Sequence, residues 1–525
     1  MTTSALFIVV ALAGQAASAG SRYLAESVGL AATNRLRHDL ALHCLRLDPT
    51  FHKTRTPGEM IERIDGDTGA LSAFFAQFVV GVLANAVLLV GIVVLLYRVD
   101  VRVGLAMTAF VVVALAVLWL VRGLAVPHFV AVRQARAEFF GFLGEVLSGT
   151  EDIRANGAVP WVMSRFHAAL RRWFPLQRRA EMAGYAVWMA SIFLFALGTA
   201  GSLALSAYLY FSGAVTIGTV YLIYNYTQLI RRPLEQIRTY LQELQRAEAA
   251  WVRVGKLLAT RSRVGDPGEE KVRRLPAGPL SVIFDRVTFA YDENGEPALD
   301  EVEFRVEPGR VLGLLGRTGS GKTTVARLLF RLYDPTRGRV ELGGLDIRDV
   351  RLDDLRCRVG LVTQDVQLFH ASVRDNLTFF RPEAPDDFLL AVLDEVGLGE
   401  WLRALPDGLD TVLSPGGSSL SAGEAQLLAF ARLLLRDPGL VVLDEASSRL
   451  DPLTERRLER AMRRALDGRT GVVIAHRLET LSLADDILIL EDGRVVEHGE
   501  RVSLARDPDS HFARLLRTGL EEVLA

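Results

Sequence analysis

Lysine is almost missing from this 525-residue chain: Lys53, Lys256, Lys271 and Lys322 stand among 60 basic residues, the others being arginine. A lysine at any given position is a choice to be explained, Lys322 above all. Cysteine is scarcer still. Cys44 and Cys357 are the two present, too few and too distant in sequence for a disulfide framework or a metal cluster, so they read as reduced thiols. Excess charge is absent as well: 62 acidic residues leave a net charge of -2. That gives no global attraction to nucleic acid, and no such partner is expected.

Apolar residues are abundant instead. Half the chain is hydrophobic and the mean hydropathy is positive, which is high for a wholly soluble protein and low for one buried in lipid. The length allows several domains, so a membrane part joined to a soluble part is expected. Five stretches approach the ~20 apolar residues that cross hydrocarbon: Ser4–Val28, Ala70–Tyr97, Val103–Val126, Ala183–Tyr210 and Ile217–Leu229. The first is interrupted by Gln15, Ser18 and Arg22 and lacks the basic start of a signal peptide. The last carries Tyr221, Tyr224, Asn225, Tyr226 and Gln228, which suits a helix facing other helices or a cavity.

Arginines crowd the segments from Arg35 to Asp67 and from Arg133 to Glu181, whereas residues 211–218 carry no charge. The positive-inside rule makes the arginine-rich segments cytoplasmic. Both read as helices continuing past the membrane and turning back near a Gly or Pro, at "RTPGEM" (55–60) and "RANGAVPW" (154–161). The predicted organisation is a membrane domain over 1–260, a linker over 261–279 that breaks every periodicity, and an α/β domain with a largely parallel sheet over 280–525.

The stretch "VLGLLGRTGSGKTTVARLLFRL" (311–332) is an apolar strand, a Gly-rich loop and an amphipathic helix. Gly316 to Thr323 fits G-x-x-x-x-G-K-[ST], a loop whose backbone N–H groups turn inward around phosphate oxygens. Gly316, Arg317, Thr318, Gly319, Ser320, Gly321, Lys322, Thr323 and Thr324 form the predicted phosphate cradle. Lys322 is expected to reach the β- and γ-phosphates and Thr323 to ligate Mg²⁺. The strand "LVVLDE" (440–445) ends in Asp444, expected to hold the metal through water, and Glu445, expected to polarise the attacking water. His476 ends another apolar strand, where ligand groups in open α/β sheets gather, and is assigned a γ-phosphate contact.

With these residues in place, the chain resembles an ATP-binding cassette transporter of the exporter type, a half-transporter with fused membrane and nucleotide-binding domains. "LSAGE" (420–424) is similar to that family's signature, normally Leu-Ser-Gly-Gly-Gln. The resemblance implies an α-helical transmembrane bundle with five visible spans, followed by an α/β P-loop NTPase domain of the cassette type. It implies ATP and Mg²⁺ as cofactors and a second half-transporter as partner. Ser421, Ala422, Gly423 and Glu424 would close over the partner's ATP, with the N-terminal dipole of the helix behind them. Tyr291 resembles the aromatic that stacks on adenine, Gln364 the glutamine that ligates Mg²⁺ and faces the membrane domain, and Asp451 the loop that crosses to the opposite site. The turns near 55–60 and 154–161 would be the coupling helices.

Three departures qualify the resemblance. Ala422 and Glu424 replace Gly and Gln, which should weaken γ-phosphate binding. The loop "TVLSPGG" (411–417) lacks the Glu the family commonly places there. The family usually has six spans per half, and the missing first one is expected either to lie upstream of a misplaced start or to be truly absent. Lys322, Asp444, Glu445 and His476 are all there, so the ATP held by this chain should be hydrolysable, while the altered signature favours a heterodimer over a homodimer. The expected function is ATP-driven export of a small hydrophobic or amphipathic molecule, lipid or peptide across the cytoplasmic membrane. Tyr221, Tyr224, Asn225, Gln228 and Trp188 are candidates to line its cavity. The alternatives are a siderophore importer of the same fold and an ATP-gated channel or regulator without net pumping.

Overall fold

The computed structural model describes residues 2–75, 80–292, 295–363, 366–381, 384–414, 420–444, 452–475 and 478–518. By compactness the chain divides into two units, Met1–His43 with Pro57–Thr260, and Cys44–Thr56 with Arg261–Ala525.

Long helices dominate the first unit. In chain order they are α1 (Thr2–Arg46), the short α2 (Pro49–Lys53, which belongs to the second unit), α3 (Pro57–Ile61), α4 (Asp67–Ala73), α5 (Val80–Val99), α6 (Val101–Ser148), α7 (Thr150–Ala155), α8 (Val159–Phe211) and α9 (Ile217–Ala259). At 1.5 Å per residue α8 is about 80 Å long, more than twice the ~30 Å of hydrocarbon, so much of it lies beyond the membrane. Among the described residues four helices are long and apolar enough to cross: Ala5–Arg46, Gly81–Val99, Val101–Ser148 and Val159–Phe211.

These four overlap the first four expected spans, the second beginning later than Ala70, which belongs to α4. The fifth, Ile217–Leu229, opens α9, a long helix that is not among those four. Helix α9 buries Ile223, Ile230 and Leu234 in the bundle and leaves Tyr221 exposed. Its partners in that core are Ile92 and Leu96 of α5, Met107 and Val111 of α6, and Leu194 and Phe195 of α8. A polar pair sits among them, with Ser202 Oγ 2.8 Å from Thr227 Oγ1, and nearer the surface Asn85 donates to Gln236 Oε1 at 2.7 Å. In an apolar medium such pairs keep side-chain polar groups satisfied.

A π-turn over Glu62–Gly66 leads into α4, where Asp67 is 1 % exposed. A carboxylate so buried needs a cation. Arg253 of α9 supplies it through Nε, at 3.1 and 3.0 Å from the two oxygens, with Nη2 also on Oδ1, and Arg63 approaches at 3.3 Å. Breaking a buried pair leaves an uncompensated charge and costs about 3 kcal/mol or more. With Arg63 still beside the carboxylate, Arg253→Ala is expected to destabilise by about 1–2 kcal/mol, with Arg253→Lys recovering only part because an ammonium lacks the two-pronged fork. Unfolding of the detergent-solubilised chain is the measurement, and an unshifted midpoint for Arg253→Ala contradicts the assignment.

The second unit holds two sheets. An antiparallel sheet orders β2 (Leu299–Val306), β1 (Val282–Phe289), β4 (Arg337–Leu342) and β5 (Leu345–Asp346). A six-stranded sheet runs β10 (Arg494–Glu500), β9 (Asp486–Glu491), β3 (Val311–Gly316), β8 (Thr470–Ile474), β7 (Leu440–Asp444) and β6 (Val359–Val362). All its pairings are parallel except β10 with β9. Strand β3 is buried at every position, as an apolar run covered on both faces must be. One core includes Phe284 stacked on Phe304 with centroids 4.5 Å apart. A second gathers around the helix Ala422–Leu434, which buries Leu427, Leu428 and Phe430.

The segment that reads as a linker is pinned. Arg273 N–H donates to Asp349 O at 2.8 Å, Arg331 Nη2 to Gly265 O at 3.0 Å, and Leu352 N–H to Asp266 Oδ1 at 2.8 Å. Helix α2 is tied to it through its cap: Asp48 Oδ1 accepts from Thr50 N at 2.9 Å, and Oδ2 from Arg263 N at 2.7 Å.

Candidate nucleotide site

Strand β3 ends at Gly316, and the helix α10 (Lys322–Leu329) begins six residues later. Two of the glycines between are forced. A Cβ on Gly316 (φ +146°) would lie 2.2 Å from Leu490 O, and one on Gly321 (φ +104°) would lie 2.7 Å from Ala298 O and 2.6 Å from Leu299 Cδ2. Gly319 also has a left-handed φ of +87° but faces open space. The loop thus turns tightly on its inner side and stays uncrowded outside, where an anion can approach the backbone.

The side chains follow that geometry. Lys322 is buried, and its Nζ donates to Gly316 O and, at 2.9 Å, to Arg317 O, which keeps the ammonium folded over the loop. Ser320 Oγ is buried and has no hydrogen-bond partner among the described residues. An orphaned hydroxyl in a phosphate-type loop fits a ligand oxygen. Thr323 is exposed on the first turn of α10, and Gly321 caps that helix without a side-chain hydrogen bond, leaving its N-terminus open to an anion.

Register brings the other groups to the same edge. Leu314 of β3 pairs beside Ile474 of β8, and Ile474 beside Asp444 of β7, so the loop and Asp444 emerge from the carboxyl ends of neighbouring parallel strands. Glu445 follows Asp444 directly and His476 follows β8 by two residues; both lie outside the described residues, as do Gln364 and Asp451. Tyr291 stands beside the loop, its hydroxyl 3.0 Å from Thr324 Oγ1 and accepting from Arg327 Nη1 at 2.8 Å.

Ser421 to Glu424 occupy a separate element, the start of the helix Ala422–Leu434. Ser421 and Ala422 are exposed and Gly423 is buried. A full capping box forms: Glu424 N–H donates to Ser421 Oγ at 3.2 Å, while Glu424 Oε2 accepts from Ser421 N at 2.8 Å and from Ser421 Oγ at 2.9 Å. The Ser421 hydroxyl proton is therefore committed to an acceptor-only carboxylate.

Matches to known proteins agree with this geometry. The family model of the ABC transporter transmembrane region matches residues 1–234, and that of the ABC transporter matches residues 299–448. The chain is 31% identical over 473 residues to the uncharacterized ABC transporter ATP-binding protein YknV of Bacillus subtilis (strain 168), covering 89% of this chain and 77% of that protein. The chain belongs to the ABC transporter family. It is also 30% identical over 470 residues to the fatty acid ABC transporter ATP-binding/permease protein of Mycobacterium tuberculosis (strain CDC 1551 / Oshkosh), covering 90% and 74%. Among solved structures, a bacterial Atm1-family ABC exporter with ATP bound matches with a TM-score of 0.79 at 27% identity, over 94% of this chain and 86% of that one.

As an ABC transporter of the exporter type, the chain binds and hydrolyses ATP, spans the membrane several times, and carries its nucleotide-binding domain in the cytoplasm. The sequence reading missed two contributors to this domain. Arg432 of the helix Ala422–Leu434 is buried and donates to Asn376 O at 2.8 Å and Gln367 O at 3.1 Å, with its guanidinium 4.6 Å from the Phe379 centroid. Burial pushes its pKa down to about 10, so it stays cationic at neutral pH. It ties the helix behind Ser421 to the segment that follows Gln364. The other is Lys53, whose Nζ lies 4.5 Å from the Tyr291 ring centroid; its one visible signal was the rarity of lysine.

The two glycines make a discriminating pair. Gly321→Ala must push aside a backbone carbonyl, so ATP affinity is expected to fall at least about tenfold, whereas Gly319→Ala meets only the ~1–2 kcal/mol left-handed penalty and retains binding. Titration calorimetry with MgATP is the check, and equal losses in the two variants would contradict the packing described.

Proposed function

We propose that this transporter works as one half of a heterodimeric exporter that moves a lipid-like or other amphipathic small molecule, with residues 1–260 crossing the membrane, 261–279 linking, and 280–525 binding nucleotide. The observation that carries the heterodimer reading is the capping box, in which the Glu424 carboxylate takes both donors of Ser421. The related fatty acid transporter supports the class of cargo.

In this reading Tyr291 stacks on adenine, the loop from Gly316 to Thr324 wraps the phosphates, and Lys322 swings from the Gly316 and Arg317 carbonyls to the β- and γ-phosphates. Mg²⁺, which neutralises phosphate charge when bound, would be held by Thr323, Gln364 and, through water, Asp444. Among the described residues there is no cluster of three or more His, Cys, Asp or Glu side chains. Glu445 takes the proton of the attacking water, His476 contacts the γ-phosphate, and Asp451 approaches the opposite site.

Ser421, Ala422, Gly423 and Glu424 act on the partner's ATP. A glutamine at 424 would accept the Ser421 N–H and still donate through its amide; the carboxylate only accepts, and it repels a γ-phosphate. One ATP site of the pair is thereby weakened, and the site built on this chain's Lys322 carries the turnover. Closure of the two nucleotide domains drives the membrane helices to the extent that ATP favours the closed state.

The test is ATPase activity of the chain reconstituted in lipid, alone and with a co-expressed second half. Little turnover alone, restored by the partner and abolished by Glu445→Gln in this chain, is the expected result. Robust turnover of the chain alone sinks the heterodimer. Separately, in an assembly whose Lys322 site is silenced by Glu445→Gln, adding Glu424→Gln is expected to raise the residual turnover of the partner's site on the order of tenfold, the size of one charge–charge term of ~1–2 kcal/mol in a partly screened site. A drop in turnover would show that the carboxylate helps rather than hinders.

A further inference from the structure

Two cations lie over the Tyr291 ring, the Arg327 guanidinium at 5.7 Å from its centroid and, closer, Lys53. Lys53, the last residue of α2, places its ammonium 4.5 Å from the ring centroid, a cation–π contact. The ring cannot easily turn away from it. Its hydroxyl is held by Thr324 and Arg327, and Phe289 and Tyr333 contact it edge-on, at 82° and 90° with centroids 4.9 and 5.3 Å away. Lys53 is held from its own side: Asp48 caps α2 and accepts from Arg263 N at 2.7 Å, and the His52 ring is 3.0 Å from Cys44 O.

We propose that Lys53 is a competing cap on the base-stacking face of Tyr291, so that a nucleotide base binds only by displacing this side chain. The inference rests on the reading that Tyr291 stacks on adenine. A flat base needs the ~3.5 Å of space over the ring where the ammonium now sits, and the two exclude each other. Lys53 is thus a determinant of affinity for the base portion of a nucleotide and leaves the phosphate loop alone. Because the exclusion is mutual, anything that holds α2 in place weakens base binding by the same factor by which the base loosens α2. The contact is solvent-exposed, so its worth is modest, and the effect is a tuning of affinity by a few-fold.

The experiment compares MgATP with magnesium tripolyphosphate, which has phosphates and no base, on the full chain in nanodiscs. Lys53→Ala is expected to tighten MgATP about two- to fivefold and to leave tripolyphosphate unchanged, while Lys53→Arg, which keeps a cation over the ring, stays near the parent. In the Tyr291→Ala background the Lys53→Ala effect should vanish. Equal tightening or loosening for both probes would make Lys53 a long-range charge acting on phosphate, and overturns the cap. Weaker MgATP binding in Lys53→Ala would make it a direct base contact, and also overturns it, as does no change in either probe. If Tyr291→Ala by itself leaves MgATP affinity intact, the stacking role of Tyr291 fails first, and the cap falls with it.

Discussion

The parallel pairing of β3, β8 and β7 is the constraint on which the nucleotide site depends. Parallel strands must all be entered from one end and left at the other, and the register here aligns Leu314, Ile474 and Asp444 across three neighbours. Residues far apart in the chain therefore emerge along one edge. The glycines complete the arrangement. Gly316 and Gly321 let the chain turn against Leu490 and Ala298 and start α10 without a side-chain cap. A slip of one residue in β7 would aim Asp444 into the sheet's packing instead.

In the membrane part the governing constraint is of another kind. Helices of 45 to 53 residues such as α1, α6 and α8 greatly exceed the hydrocarbon thickness. The parts beyond the membrane need fixed points: Arg37 of α1 pairs with Asp65 at 2.8 Å, and the buried Asp67 with Arg253 and Arg63 holds the same turn to α9. Deeper in the bundle, the hydroxyl pair of Ser202 with Thr227 joins helices that apolar contact alone would leave free to slide.

How much of this was legible in the residues varies with the range of the interaction. Strand β3, its loop and α10 could be read from "VLGLLGRTGSGKTT" because the constraint is local: left-handed glycines and an uncapped helix start are set by neighbouring residues. The four apolar spans were legible because hydrocarbon demands length and composition, which need no tertiary knowledge. Ile217–Leu229 was harder, since α9 buries one stripe in the bundle and its composition is mixed. The contacts of Asp48 with Arg263, of Lys53 with Tyr291 and of Arg432 with Asn376 were invisible, because each joins segments whose proximity only the finished fold creates. The apparent linker also misled in part: its Gly, Pro and charge suggest a loose tether, yet Gly265, Asp266 and Arg273 are each hydrogen-bonded to the α/β core.

The excursion of Cys44–Thr56 into the second unit changes what counts as a domain in this protein. By compactness thirteen residues, Cys44–Thr56, group with the second unit, although they lie within the stretch 1–234 that matches the transmembrane region. A gene fragment starting at Arg261 would encode a body missing a wall, with the Arg263 amide deprived of its carboxylate acceptor and one aromatic face of Tyr291 stripped to water. Modular shuffling by simple end-to-end fusion cannot transplant such a unit intact. A transplant of the nucleotide-binding half alone leaves behind the contacts of Asp48 with Arg263 and of Lys53 with Tyr291.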